Sequence, residues 1–188
     1  MKKAPIIIIC VVVLLGAVGW GAYKWLSKQE NAQVNNEESS EENEAEREEL
    51  AEQREEIQGV ITEENLTEFN EKGLNPFGQE KQKNELTDNT YQEYIHGMSH
   101  QKVKANKKWG FYEIHPQRIE WLLDGLDEVD VKHENVYRDI LGKWNAGDFA
   151  TADHDHNAIW ELQEGTVGRA TGILSAGEEQ EYVNSNSD

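Results

Sequence analysis

The residues from Ala4 to Tyr23 contain no charge and follow a Met1-Lys2-Lys3 start. At about 1.5 Å rise per residue, a helix over this run reaches roughly 30 Å, the thickness of a bilayer's hydrocarbon core. Such a helix pairs its backbone polar groups internally, which is what the lipid interior demands. Pro5 falls in the first turn, where its missing N–H costs nothing, and Trp20, Tyr23 and Trp25 fall near the far boundary, where amphipathic rings prefer to lie. The pattern predicts a single transmembrane helix within an anchor of residues 1–28, with the lipid bilayer as partner of residues 4–23. A cleaved secretory signal shares the charged start. Against it, the apolar run is long and Gly19-Trp20-Gly21-Ala22 is a weak cleavage sequence. Cys10 follows four isoleucines in mid-span, which does not suit a lipid-modified cysteine.

Charge then orients the anchor. Lys2, Lys3 and the terminal amine precede the span, and Lys24 and Lys28 follow it, a slight balance in favour of a cytoplasmic N-terminus. Four of the 18 basic residues and none of the 37 acidic ones lie in residues 1–28, leaving 14 against 37 and a formal charge of −23 downstream. No basic cluster holds that part inside, so the expectation is a single-pass cell-membrane protein with its C-terminal domain outside. An acidic ectodomain is repelled by phosphate, which argues against nucleic acid and anionic headgroups and leaves cations, a protein or a cell-wall component as partners. Cys10 is the only cysteine, so the outer part is expected to hold together without an internal disulfide.

Residues 29–59 read as an acidic linker, because the stretch from Glu37 to Leu50 is too charged and too poor in apolar residues to bury a core. Leu50 and Ile57 stand one heptad apart, which does not make a coiled coil. Residues 60–84 read as a short amphipathic helix through Leu66 and Phe69, ending at Gly73, then the turn Asn75-Pro76-Phe77-Gly78.

Residues 85–183 carry helical periodicity and predict an all-α domain of four to five short helices, with no competing strand pattern and a disordered tail over 184–188. Thr87 or Asp88 caps a helix with apolar positions Tyr91, Tyr94, Ile95 and Met98, and His115-Pro116 opens another with Ile119, Leu122, Leu123 and Leu126 on one face. A third covers roughly residues 134–144, a fourth about 149–163 before Gly165, and a last begins at Ser175 with Glu178 completing a capping box. Trp109, Trp121, Trp144 and Trp160 are expected to supply much of the core.

The blocks Tyr94-Ile-His-Gly-Met-Ser-His-Gln-Lys-Val-Lys104, Lys108-Trp-Gly110 and the run from Asp155 to Ser175 resemble an uncharacterised family of Gram-positive spore-forming bacteria. The resemblance covers about residues 74–183. It implies one N-terminal membrane helix joined to a small helical domain of unknown function, and it carries no activity.

Chemistry therefore rests on the residues. His96 and His100, four apart on one helical face, have the spacing of paired metal ligands, and Asp153 and His156 could add to them. His96-Gly97-Met98-Ser99-His100 lacks the glutamate of a zinc hydrolase, and Gly97 weakens the helix that would fix the pair. The bland alternative is that the histidines are core-edge or capping residues bonded to carbonyls. Asp153 to Glu164 places oxygens at several calcium-loop positions, but Ala158 stands where the loop wants glycine, and the same residues make a coherent amphipathic helix. Gly97 to Gln101 misses the nucleophile elbow by its last glycine, and the Gly165–Gly172 stretch lacks a phosphate loop's lysine. The expectation is a noncatalytic binding protein that needs no cofactor. The alternative is a zinc- or calcium-dependent sensing or hydrolytic module built on His96, His100, Asp153 and His156.

Overall fold

The computed structural model describes residues 61–186. Among them no helix is long and apolar enough to cross a membrane. The span expected at residues 4–23 and the acidic linker lie outside the described residues.

Six α-helices make up most of this part: α1 (Glu63–Glu71), α2 (Asp88–Ser99), α3 (Pro116–Gly125), α4 (Glu134–Asn145), α5 (Ala152–Leu162) and α6 (Ala176–Ser185). Their starts are set locally. Thr62, Thr87 and Ser175 each accept a hydrogen bond from a backbone N–H in the first turn of α1, α2 and α6, and Pro116 occupies the first position of α3 behind His115. Glu178 returns the bond at Ser175, completing the box the sequence predicts. Helix α5 begins at Ala152, three residues later than its apolar pattern suggested, because Phe149 packs in the preceding turn against Trp144.

The expectation of no strand is corrected by one short ladder. β1 (Val103–Lys104) pairs antiparallel with β2 (Gly172–Ile173), Val103 opposite Ile173 and Lys104 opposite Gly172. Two residues per strand are too few to show alternation in the sequence. The ladder ties the connection after α2 to the connection after α5, and Lys102 and Lys104 then hold α6 through Glu179 and Glu178 at 2.5 and 2.9 Å.

The core gathers α2, α3, α4 and α5. Helix α2 packs most extensively on α5, and α3 on α4. Phe77, from the turn after α1, stacks on Tyr94 with centroids 3.8 Å apart, and Tyr112 meets both rings edge-on. Tyr91 stacks on Tyr137 and donates its hydroxyl to the Leu122 carbonyl at 3.0 Å. Arg118 is buried beneath Phe77 and donates to the carbonyls of Pro76 and Glu113; burial pulls its guanidinium down to about 10, still fully charged at neutral pH. Of the tryptophans expected in the core, only Trp144 is fully enclosed; Trp121 and Trp160 are half-buried and Trp109 is 53% exposed. Tyrosines and phenylalanines take their place: Phe77, Tyr91, Tyr94, Phe111, Tyr112 and Tyr137 are all fully buried.

Candidate metal centre

The α2–α5 contact brings three histidines together. His96 lies in the last turn of α2, His100 caps its C-terminus and His156 sits on α5. One ring nitrogen from each lies within 4.8 Å of the other two, and the Nε2 atoms of His96 and His156 are 3.0 Å apart. Gly97 does not break α2 as its low helix propensity suggests. A Cβ there would meet the Tyr112 ring at 2.5 Å, so glycine is what lets that ring seat against the helix between the two histidines.

Asp153 does not join this group, although it precedes His156 by less than a turn. It is half-buried in the first turn of α5 and is not among the residues whose ligand atoms converge. The enclosed carboxylate of α5 is Asp155, and it is committed elsewhere: Lys143 donates to it at 2.6 Å and the Trp144 indole at 3.1 Å. The helical path of residues 152–162 also keeps the oxygens from Asp153 to Glu164 from wrapping a calcium ion. Ser99 is buried and donates to the His96 carbonyl at 2.6 Å, which accounts for its hydroxyl without catalysis.

The ring atoms facing away from the cluster are held as well. His100 Nδ1 donates to the Gly110 carbonyl at 2.8 Å, His156 Nδ1 faces Asn157 Oδ1 at 3.2 Å, and His96 Nδ1 contacts Gln163 Oε1. Metal-binding histidines are commonly oriented in this way, the outer N–H on an oxygen and the inner nitrogen turned to the ion. Asn157 is itself clamped by Ala170, whose N–H donates to Oδ1 at 2.8 Å and whose carbonyl accepts from Nδ2 at 3.1 Å. Burial first, and then the adjoining His96 imidazole, pushes His100 well below the usual histidine range, and burial likewise lowers His156. Both imidazoles are therefore neutral near pH 7, the state that ligates metals.

His100 and His156 are enclosed, whereas His96 is half-buried at the base of a cleft of about 390 Å³. The cleft is walled by Trp109 and Trp160 and by the connection from Gln163 to Gly168. That connection is tight. Glu164 holds a left-handed φ of 55°, a Cβ at Gly165 would strike the Trp160 indole at 2.4 Å, and one at Gly168 would meet the Lys107 carbonyl at 2.7 Å. Arg169 pairs with Glu161 at 3.6 Å on the surface.

Residues 95–184 match the model of a family of unknown function, DUF6241. The match takes in all three histidines, Asn157 and Gln163, and agrees with the uncharacterised helical domain that the sequence blocks resemble. No curated protein and no solved structure matches the chain.

Sequence inspection missed Gln163 and Asn157. Gln163 follows His156 by seven residues, two turns along one helical face, and that spacing was the available signal. Asn157 had none, since its role depends on Ala170 arriving from the loop.

Proposed function

We propose that this domain is a noncatalytic, metal-dependent binding module, held outside the cell membrane by residues 4–23 and the acidic linker. In it, Nε2 of His96, His100 and His156 takes a divalent transition metal of the zinc class, and a remaining coordination position faces the cleft. The carrying observation is the convergence of three imidazole nitrogens, each ring with its outer nitrogen against an oxygen. With Zn–N distances of about 2.0–2.1 Å, tetrahedral ligands stand roughly 3.3 Å apart. The His96–His156 pair is already close to that, and small ring rotations bring in His100. Three nitrogen donors without a carboxylate suit zinc, copper or nickel and not calcium, which takes six to eight oxygens. Commitment of Asp155 to Lys143 and Trp144 and of Ser99 to its own helix favours binding over hydrolysis.

Calorimetric titration of the full chain in detergent with Zn²⁺, Co²⁺ and Ca²⁺ tests this. The expected result is one tight Zn²⁺ site, intense visible absorption with Co²⁺, and both lost in His156→Ala. Equal Zn²⁺ binding by His156→Ala would assign the metal to the acidic linker and overturn the proposal, as would no binding by the wild type.

A further inference from the structure

We infer that the cleft docks an arginine side chain of a basic protein partner, its guanidinium held by the face of the Trp109 indole and by the Glu164 carboxylate; this goes beyond the metal-binding reading and does not depend on it.

The apolar surface that the domain leaves in solvent is concentrated here. Three large hydrophobic side chains are exposed among the described residues, Trp109, Val167 and Ile173, and the first two line this one cleft. The walls that carry them are closely fitted. A Cβ at Gly168 would meet the Lys107 carbonyl at 2.7 Å and the Trp109 ring at 3.7 Å, and the Trp160 indole donates to the Val167 carbonyl at 2.8 Å. These contacts fix the backbone on which Trp109 and Val167 are presented.

A carboxylate is kept on the wall against the backbone's preference. Among the described residues Glu164 is the one non-glycine with a positive φ. It follows the C-cap of α5, the position where glycine or asparagine ordinarily ends a helix. A side chain with a Cβ is strained there, and what the strain retains is an exposed carboxylate lining the cleft.

Charge decides the occupant. Residues 61–186 hold 24 acidic and 12 basic side chains, a formal −12, so the field of the domain draws cations and repels anions. In the cleft itself Glu93 and Glu164 stand against Lys107. The Lys107 ammonium lies 5.9 Å from the Trp109 ring centroid, at the outer limit of a cation–aromatic contact, so the protein's own chain already sets a cation by that ring. Lys107 is exposed and free to swing into solvent when a ligand arrives. A guanidinium suits the site better than an ammonium, because it is planar, stacks on an indole and offers a fork of N–H donors that matches one carboxylate. The apolar stem of the arginine has Val167 to lie against.

Binding of a dye-labelled, end-blocked tetra-arginine peptide to the full chain in detergent, with chelator and about 0.15 M salt, tests this by fluorescence anisotropy. The wild type is expected to bind it at least about fivefold more tightly than tetra-lysine, and far more tightly than the uncharged isostere tetra-citrulline. Trp109→Ala is expected to weaken binding by about five- to tenfold. Glu164→Gly is expected to weaken it by a similar factor while raising the midpoint of thermal unfolding, since glycine suits the positive φ. Loss of affinity with a gain in stability is a signature that a merely structural role would not give. Lys107→Met removes the competing ammonium and is expected to tighten binding by about twofold or more. Equal binding by wild type, Trp109→Ala and Glu164→Gly assigns the peptide to the acidic linker and overturns the inference. Equal affinity for the arginine and lysine peptides, or no binding by the wild type, overturns it as well. None of these results bears on Zn²⁺ binding by His96, His100 and His156, which stands or falls on its own titration.

Discussion

Helix α2 borders two interiors built from different chemistry. On one side Tyr91, Tyr94, Ile95 and Met98 enter a core in which every ring is packed by another. There phenol tips donate to nearby oxygens, as Tyr94 does to Gln79 at 2.7 Å and Tyr137 to the Asp88 carboxylate at 2.7 Å, and burial raises these phenols far above neutral pH. On the other side His96 and His100 meet His156, and the outer nitrogens are paired while the inner ones converge. In the core Tyr91, Tyr94 and Tyr137 each donate to a protein acceptor, whereas the imidazole cluster turns its inner nitrogens towards one point.

The largest effect that would break this contrast lies on the core side. Tyr94→Ala removes the ring stacked on Phe77 and leaves Gln79 Oε1 without its donor, and it is expected to cost about 3–5 kcal/mol in denaturant unfolding. A loss below about 1.5 kcal/mol would show that the aromatic stack is not what holds α2. Next comes the support of α5. Asp155→Ala takes away the partner of Lys143 and the Trp144 indole, and a loss of about 2–3 kcal/mol is expected, with weaker Zn²⁺ binding because His156 is the next residue.

Acid distinguishes the two interiors directly. His100 and His156 have folded values below the usual 6.5, so below that pH the unfolded chain binds protons that the folded chain refuses. Stability is therefore full above about pH 6.5 and falls as pH drops beneath it, by at most about 1.4 kcal/mol per pH unit for each ring. His100→Asn, whose amide can still donate to Gly110, is expected to flatten that slope in thermal melts between pH 7 and pH 5; an unchanged slope would remove His100 from the account. The smallest effect belongs to Trp109. Exposed on the cleft wall, its replacement by Ala is expected to change stability by less than about 0.5 kcal/mol, while a core position would lose several. A large loss would return Trp109 to the core.

Helix limits were legible because their causes are local. Thr87, His115-Pro116 and the Ser175–Glu178 box act within one turn, so each names its helix before any tertiary contact exists. The turn at Asn75–Gly78 was legible for the same reason, the Gly78 N–H bonding to the Asn75 carbonyl at 2.8 Å and glycine taking the positive φ. The pairing of His96 with His100 was half legible, since a four-residue spacing fixes a shared face but not what lies opposite it.

The chain alone thus determined where its helices start and stop and that the part between residues 85 and 183 is mainly α-helical, because short-range hydrogen bonds and side-chain periodicity decide both. Only the tertiary structure chose His156 over Asp153 as the third member, put Trp144 inside and Trp109 outside, and set Gln163 against His96. Those choices depend on the angle and register at which α5 lies on α2, with the β1–β2 ladder fixing the loop behind them. Contacts between residues 60 or more positions apart are settled by the packing of whole elements, and no local pattern encodes them.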